Sequence, residues 1–224
     1  MKTKILKKVL SVMIAGTAVF CLAACSSGTG SEDAAADQTE ESADSQETAE
    51  TGEAVQEDNA ENADGEGGSL IVYFSWSGNT EAVAQEIQSQ TGADLFEIVP
   101  TELYTDDYNE LLDIAQKEQS SDARPAIADT IDLSGYDTVF LGFPNWWGDM
   151  PMIIYTFLDE YDLSGKTVAP FNTSGGSGFS NSLETIAEME PDAQITVGLS
   201  LGSSEAGDCA DTVSTWLDSI GLAE

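Results

Sequence analysis

The sequence LIVYFSWSGNT, residues 70–80, joins a run of β-prone apolar residues to a polar loop. A continuous apolar run of this length is typical of a strand that is covered on both faces of a parallel sheet. The loop that follows, SWSGNT, supplies hydroxyls, an amide, a glycine and an indole but no positive charge. Apolar residues then recur at helical spacing between Thr80 and Thr91, so this stretch predicts a strand, a turn and a helix.

The rest of the chain continues the same alternation. Apolar, β-branched runs predict further strands at 93–99, 138–143, 167–171 and 195–199, and helical periodicity predicts helices at 107–119, 152–158, 182–189 and 208–222. Five strands separated by helices indicate βαβ units. The predicted fold class is therefore α/β, a parallel sheet with helices on both faces.

Three of these strands run into loops of unusual composition. The loops are SWSGNT (75–80) after the first strand, PNWWGD (144–149) after the third and NTSGGSG (172–178) after the fourth. In open α/β sheets, ligands bind beyond the carboxyl ends of the strands. Because the three loops share that edge, the sequence predicts one ligand site there.

The first of these loops has the features of an anion site. The start of a helix offers unpaired N–H groups and a partial positive charge, which together bind anions without lysine or arginine. Gly78 permits the tight turn, and Ser75, Ser77, Asn79 and Thr80 add side-chain donors. Two interpretations remain open: a phosphate site, or residues that only cap the helix.

The three loops together resemble those of a known family. SWSGNT resembles the phosphate loop of flavodoxins, with Ser77 where threonine is usual, and the similarity covers residues 69–224. It includes FLGFPNWWG (140–148), Met150-Pro151, TFL (156–158), GKT (165–167), Pro170-Phe171 and TSGGSG (173–178). The resemblance is to flavodoxin-like proteins of anaerobic bacteria. It implies a doubly wound, five-stranded parallel sheet in the order 2-1-3-4-5 and FMN as the cofactor.

The resemblance also implies a set of cofactor-binding residues. The first loop would hold the FMN phosphate, the second would line one side of the isoalloxazine ring, and the third would approach its other edge. No catalytic side chain and no metal ligand is expected, because the flavin itself carries the chemistry. The implied residues are Ser75, Trp76, Ser77, Gly78, Asn79, Thr80, Pro144, Asn145, Trp146, Trp147, Gly148, Thr173, Ser174, Gly175, Gly176 and Gly178.

The aromatic residues and glycines have specific expected roles. One of Trp146 and Trp147 is expected in the core, with Trp147 favoured as the ring contact. Trp76 either covers the ribityl chain or caps the sheet edge. Backbone N–H groups at the glycines of 175–178 are expected to approach the ring oxygens.

The sequence departs from the family pattern in the third loop. Many flavodoxins place a second stacking tyrosine there, and residues 172–178 contain none. One face of the flavin is therefore expected to be open, or covered by a substrate or another subunit. An open face suits exchange with a diffusible substrate as well as electron transfer.

The N-terminus has the pattern of an export segment. Lysines at positions 2, 4, 7 and 8 precede the apolar stretch 9–22, which ends in Leu22-Ala23-Ala24-Cys25. This resembles the lipobox of bacterial lipoproteins and implies a signal peptide at 1–24 and lipidation of Cys25; the alternative is an ordinary signal peptide. Residues 26–68 contain fourteen acidic residues and no basic one, so 25–68 is predicted to be a lipidated cysteine followed by a disordered acidic tether. The folded domain is predicted at 69–224.

The charge of the chain excludes some partners. The formal charge is −34, and loss of the four lysines at 2–8 leaves three basic residues against 41 acidic ones, which is −38. Nucleic acid is excluded as a partner, because its binding depends on cationic groups at the phosphates. Anionic lipid headgroups would repel the chain, so the acyl anchor is expected to hold it at the cell membrane, outside the cytoplasm.

These patterns predict an FMN protein that transfers electrons outside the cytoplasmic membrane. Its partner would be a redox protein or a small electron acceptor. Two alternatives stay open: an FMN-dependent reductase of quinone-type acceptors, and a surface binding module that has the fold without the flavin.

Overall fold

A computed structural model describes residues 67–223 of the chain. The strands are β1 (Gly68–Tyr73), β2 (Asp94–Glu97), β3 (Tyr136–Pro144), β4 (Thr167–Ser174), β5 (Gln194–Ile195) and β6 (Leu199–Gly202). The helices are α1 (Asn79–Thr91), α2 (Tyr108–Ser120), α3 (Met152–Glu160), α4 (Ser182–Met189) and α5 (Ala210–Ile220). The signal peptide and almost all of the tether predicted at 1–24 and 25–68 lie outside the described residues.

The strands form one parallel sheet in the order β2-β1-β3-β4-β5, with β6 also paired to β4. In the centre, Ile71 of β1 lies opposite Leu95 of β2 and Phe140 of β3. The predicted strand order 2-1-3-4-5 is confirmed. Most predicted strands and helices begin and end within three residues of the observed bounds.

The fifth strand differs from the prediction at 195–199. It consists of two short strands, because Val168 lies opposite Ile195 whereas Phe171 lies opposite Leu199, which leaves one extra residue on the outer strand. Val168 accepts a hydrogen bond from the Thr196 N–H, so alternate residues of β4 face the fifth strand, and Pro170 is one of them. Pro170 has no N–H to donate. The ladder therefore breaks at this proline and resumes at Leu199.

Two hydrophobic clusters cover the two faces of the sheet. The first contains Leu70, Val72 and Leu141 and packs under α3 and α4. The second contains alternate residues of the same strands, including Ile71 and Phe140, and packs under α1 and α5. Central strands that are buried on both faces explain the continuous apolar runs in the sequence.

Two of the three basic residues in the described part of the chain, Arg124 and Lys166, serve local structure. The Arg124 guanidinium pairs with Asp122 and Asp159. The Lys166 ammonium donates to the backbone carbonyls of Leu133 and Tyr136, at 2.9 and 2.6 Å. Within 67–223, none of the helices combines the length and the apolar character that crossing a bilayer requires.

The stability of the domain is expected to rise when the pH falls from 7 to 5. Burial raises the pKa of the carboxyl groups of Glu97, Glu118 and Glu190 above the usual range. Such groups bind more protons in the folded state than in the unfolded one, so stability falls as pH rises from the unfolded pKa of about 4.3 through the raised folded values. Denaturant titrations at the two pH values measure the difference. Glu190→Gln is expected to reduce the difference in unfolding free energy between pH 5 and pH 7, whereas the control Glu160→Gln, at an exposed position, is expected to leave it unchanged. The same difference in both variants would contradict this.

Candidate functional site

A cavity of about 560 Å³ opens at the carboxyl ends of β1, β3 and β4. Its volume lies within the range of small-molecule binding sites. The three loops singled out in the sequence meet here, together with one face of α2. The lining residues are Trp76, Ser77, Asn79, Tyr108, Leu111, Leu112, Ala115, Pro144, Asn145, Trp146, Trp147, Gly148, Thr173, Ser174, Gly175, Ser177 and Ser203.

The lining of this cavity is uncharged. Among the residues that the structure describes, 67–223, no Asp, Glu, Lys or Arg side chain lines it, although the full chain carries 41 acidic residues. One part of the wall consists of hydroxyl and amide groups, and the other consists of the aliphatic and aromatic side chains of α2 and the tryptophans. The site therefore offers both neutral hydrogen-bond donors and an apolar surface that a flat ring system could contact.

The β1–α1 loop places unpaired backbone donors beside the cavity, which Ser77 and Asn79 line. Gly78 has φ of 81°, a left-handed conformation that suits glycine, and α1 begins at the next residue. The Glu81 N–H donates to Ser75 Oγ at 3.2 Å, and Asn79 Nδ2 donates to Ser77 Oγ at 3.0 Å. Within 67–223, the N–H groups of residues 77–80 have no acceptor. This donor set at a helix N-terminus fits a phosphate group.

Thr80 has a different place from the one expected. Its side chain is buried, and its hydroxyl pairs with that of Thr173 at 2.9 Å. The Thr80 hydroxyl is thus engaged with the end of β4, and Thr80 does not line the cavity. The pair fixes the start of α1 against β4.

The Thr80–Thr173 pair gives a prediction about stability. Thr173→Val removes one hydroxyl and leaves the other buried without a partner, which costs about 1–3 kcal/mol of unfolding free energy. The double variant Thr80→Val/Thr173→Val removes both polar groups and is expected to recover most of that loss. Denaturant unfolding of the two single variants and the double variant measures the coupling. Simple additivity of the two single effects would contradict the paired arrangement.

The two tryptophans of the β3–α3 loop lie in different environments. Trp146 packs edge-on against Phe74 and Tyr104, with ring centroids 5.4 and 5.3 Å apart. Trp147 is 49% exposed, has φ of 54°, and its indole N–H donates to the Leu112 carbonyl at 3.1 Å. Trp146 is thus the tryptophan packed against the core, and Trp147 stands at the mouth of the cavity. Stacking of Trp147 on a ring stays a prediction.

The glycine-rich loop is held differently from the expectation. Residues Asn172–Ser174 belong to β4, and the N–H groups of Gly176 and Gly178 donate to Ser174 Oγ at 3.2 and 3.1 Å. These two N–H groups are consumed within the loop and are not directed to a ligand as expected. The N–H groups of Gly175 and Ser177, both lining residues, have no acceptor within 67–223.

Two asparagines join the second and third loops. Asn145 Nδ2 and Asn172 Nδ2 both donate to the Gly178 carbonyl, at 2.8 and 2.7 Å. The Asn145 Oδ1 atom accepts the Gly148 N–H at 3.1 Å. Asn145 therefore sets both the shape of its own loop and its distance from the glycine-rich loop.

The structure adds lining residues that the sequence did not single out. Four belong to α2: Tyr108, Leu111, Leu112 and Ala115. The Trp76 indole N–H donates to the Thr105 carbonyl at 2.8 Å, which ties the segment before α2 to the β1–α1 loop. The apolar positions of α2 were visible in the sequence, but the helix that they belong to carried no polar motif. Five expected residues lie outside the lining and support the loops instead: Ser75, Gly78, Thr80, Gly176 and Gly178.

Comparison with known proteins identifies the family. The family model described as flavodoxin matches residues 68–220, so this chain belongs to the flavodoxin family. Flavodoxin 1 of Salmonella typhimurium is 30% identical over an alignment of 141 residues, which covers 57% of this chain and 64% of that protein. The chain thus spans slightly less than two thirds of the length of that relative.

Two solved structures extend the comparison. A putative flavoprotein from Bacteroides eggerthii is 35% identical, with a TM-score of 0.62 over 69% of this chain and 98% of that one. A flavoprotein from Lactobacillus acidophilus, solved in complex with FMN, is 30% identical, with a TM-score of 0.52 over 62% and 95% of the two chains. The predicted flavodoxin-like fold is confirmed.

Proposed function

We propose that this protein is an FMN-binding electron-transfer protein, anchored by lipid on the outer side of the cytoplasmic membrane. The observation that carries the proposal is the cavity at the carboxyl edge of the sheet, whose lining among residues 67–223 is uncharged and joins the start of α1, with its unpaired N–H groups, to an aromatic and aliphatic wall. FMN as the cofactor is supported by the family and by the FMN complex of the Lactobacillus relative.

The phosphate would be held at the start of α1. The N–H groups of residues 77–80 and the hydroxyl of Ser77 would donate to its oxygens, and the helix dipole adds a partial positive charge. Because these donors are neutral, the charge of the bound phosphate is not cancelled. The cavity thus stays free of a fixed cation near the flavin.

The isoalloxazine ring would lie on the apolar part of the wall. Trp147 stands at the mouth on the β3–α3 loop, and Leu112 and Tyr108 of α2 line the same cavity. The flavin, when bound, supplies reversible electron or hydride transfer. The chain would bind and orient the flavin and exclude water from it.

The anchor rests on the sequence of the N-terminal segment. Cys25 follows Leu22-Ala23-Ala24 at the end of a short apolar stretch behind a basic head. Stable membrane attachment by lipidation needs at least two membrane-binding features, such as two acyl chains. A cysteine that carries a diacyl group and an N-acyl group meets that requirement.

A second candidate is a reductase of small, quinone-type acceptors. It is favoured by the open mouth of the cavity, where Trp147 is 49% exposed and Tyr108 is 60% exposed. It is disfavoured because the donors at the start of α1 would already hold the FMN phosphate, and the lining among residues 67–223 offers no cation for the further phosphates of a nicotinamide dinucleotide. Steady-state turnover with NADH or NADPH and a quinone separates the two candidates. A flavin-free binding module, in contrast, would purify colourless.

The proposal is tested by calorimetry and by the absorption spectrum. FMN added to the purified apo-protein is expected to bind with one-to-one stoichiometry, and protein isolated from its native membrane is expected to show the flavin bands. Retention of the protein in the membrane should be lost in Cys25→Ser. A folded protein, judged by circular dichroism, that takes up no FMN would overturn the cofactor assignment, and a membrane-bound Cys25→Ser variant would overturn the anchor.

The reduction potential of the bound flavin is expected to lie below that of free FMN. The described chain has few basic residues and none in the cavity, so negative potential from the surrounding carboxylates disfavours the anionic reduced flavin. Salt screens this effect over about 10 Å at 0.1 M. Potentiometric titration at low and high ionic strength is therefore expected to give a low value that rises with salt. A value well above that of free FMN would contradict the argument.

A further inference from the structure

A second cavity of about 500 Å³ lies next to the C-terminal half of α2 and shares no lining residue with the cavity described above. It is bounded by the segment 100–104, by Ile114 and Glu118 of α2, and by the segment 123–126. Backbone hydrogen bonds from Thr101 N–H to the Ala126 carbonyl and from Ala128 N–H to the Val99 carbonyl, both 2.8 Å, hold the two segments together. Backbone hydrogen bonds of the folded domain therefore hold the walls of this cavity in place.

The polar centre of this second cavity is a tyrosine–glutamate pair. Tyr104 Oη donates to Glu118 Oε2 at 2.9 Å, and both side chains are half-buried. Burial raises the pKa of both groups, and the nearby Glu118 carboxylate raises that of Tyr104 further. Within 67–223, the other carboxylate oxygen, Glu118 Oε1, has no hydrogen-bond donor. A partly desolvated carboxylate with a free oxygen is a strong acceptor for a charged donor.

The charge of the cavity favours a cation. Glu118 and Glu102 both line it, whereas the one basic lining residue within 67–223, Arg124, is neutralised by Asp122 and Asp159. The Arg124 guanidinium also lies over the ring of Tyr155, 5.2 Å from its centroid. Among residues 67–223, a carboxylate ligand would find no unpaired cation in this lining, whereas an ammonium group would find the Glu118 carboxylate.

The remainder of the lining is apolar. Pro100, Ile114, Pro125 and Ala126 contribute side chains, and Leu103 stands at the rim with 78% of its surface exposed. We propose that this cavity binds a small organic ammonium compound, with the ammonium group donating to Glu118 and an apolar body lying against Leu103 and Ile114. The proposal does not depend on flavin binding.

Two aromatic side chains in contact, Tyr104 and Trp146, connect the second cavity to the first. The Tyr104 ring, whose hydroxyl binds Glu118, packs edge-on against Trp146 at 5.3 Å, and Trp146 lines the other cavity. A ligand on Glu118 therefore lies two side chains away from Trp146. Its binding is expected to change tryptophan fluorescence, which gives a second readout.

Calorimetric titration of the purified protein with benzylamine, which is protonated at pH 7, tests the proposal. Benzyl alcohol is the matched uncharged probe. Benzylamine is expected to bind with one-to-one stoichiometry and benzyl alcohol at least tenfold more weakly. Glu118→Gln keeps an acceptor for Tyr104 and is expected to weaken benzylamine binding at least tenfold, and Leu103→Ser, at an exposed position, is expected to weaken it severalfold. Asp113→Asn, which removes an exposed carboxylate elsewhere on α2, is expected to leave it unchanged.

Three outcomes would overturn the inference. They are no saturable binding of benzylamine, equal affinity for the alcohol, and equal affinity in Glu118→Gln with native circular dichroism. A fourth outcome would overturn it as well: multiple weak sites whose affinity for benzylamine falls as much in Asp113→Asn as in Glu118→Gln, which would indicate attraction to the acidic surface alone. FMN binding is measured separately, so failure here leaves the proposed function intact.

Discussion

The substitution Asn79→Asp is expected to lower the affinity of the protein for FMN about 30-fold and to leave its affinity for riboflavin unchanged. Asn79 is the first residue of α1 and lines the cavity beside the free N–H groups. A carboxylate about 4 Å from a phosphate dianion costs about 2 kcal/mol even at the dielectric constant of water. Riboflavin has no phosphate and escapes this cost. Fluorescence titration with the two flavins measures the effect.

The same substitution has a built-in structural control. An acidic residue in the first turn of a helix stabilises it through the helix dipole, so the variant is expected to fold as well as the parent. The Ser77 hydroxyl, which accepts from Asn79 Nδ2, can donate to the new carboxylate instead. Asn181→Asp, at the start of α4, adds the same charge outside the cavity lining and is expected to have little effect. Equal losses for FMN and riboflavin would place the phosphate elsewhere.

The substitution Gly142→Ala is expected to destabilise the domain by about 3 kcal/mol. Gly142 lies in β3, and a Cβ at this position would overlap the ring of Phe171, which is fully buried in the second cluster on β4. Packed interiors accommodate an added methyl only by displacing neighbours, at a cost of about 1–3 kcal/mol or more. The central position of β3 limits such displacement. Chemical denaturation gives the loss.

Gly135→Ala is the matched comparison. A Cβ there meets no atom within 4 Å, so the change is expected to be neutral or slightly stabilising. Recovery of stability in the double variant Gly142→Ala/Phe171→Leu would assign the loss to the overlap. Gly142→Ala with the stability of the parent would show that the ring of Phe171 moves aside freely.

The fold was predictable where its causes are local. The alternation of Ile71 and Val72 between two buried faces, and the apolar run of β3, follow directly from a doubly covered parallel sheet. The broken fifth strand was not predictable from the apolar pattern of 195–199. Pro170 is visible in the sequence, but its effect depends on which neighbour its nitrogen faces, and the pairing of β4 decides that.

The candidate site also has features that the sequence predicts and features that it does not. Loops at the carboxyl edge carried their own polar residues, so their meeting point followed from strand direction. The wall from α2 depends instead on long-range bonds, such as Trp76 Nε1 to the Thr105 carbonyl and Trp147 Nε1 to the Leu112 carbonyl. The internal use of the Gly176 and Gly178 N–H groups depends on the side-chain rotamer of Ser174. Sequence patterns contain neither kind of information.

The interrupted outer strand also bears on how copies of the protein behave when crowded. A long, regular strand at the margin of a sheet is a template on which a second molecule can add its own backbone. Here that margin is divided into pieces of two and four residues, and the Val197 carbonyl between them is occupied by the Trp216 indole N–H. Neighbouring molecules therefore meet no continuous ladder to extend, and this side of the domain resists edge-to-edge aggregation.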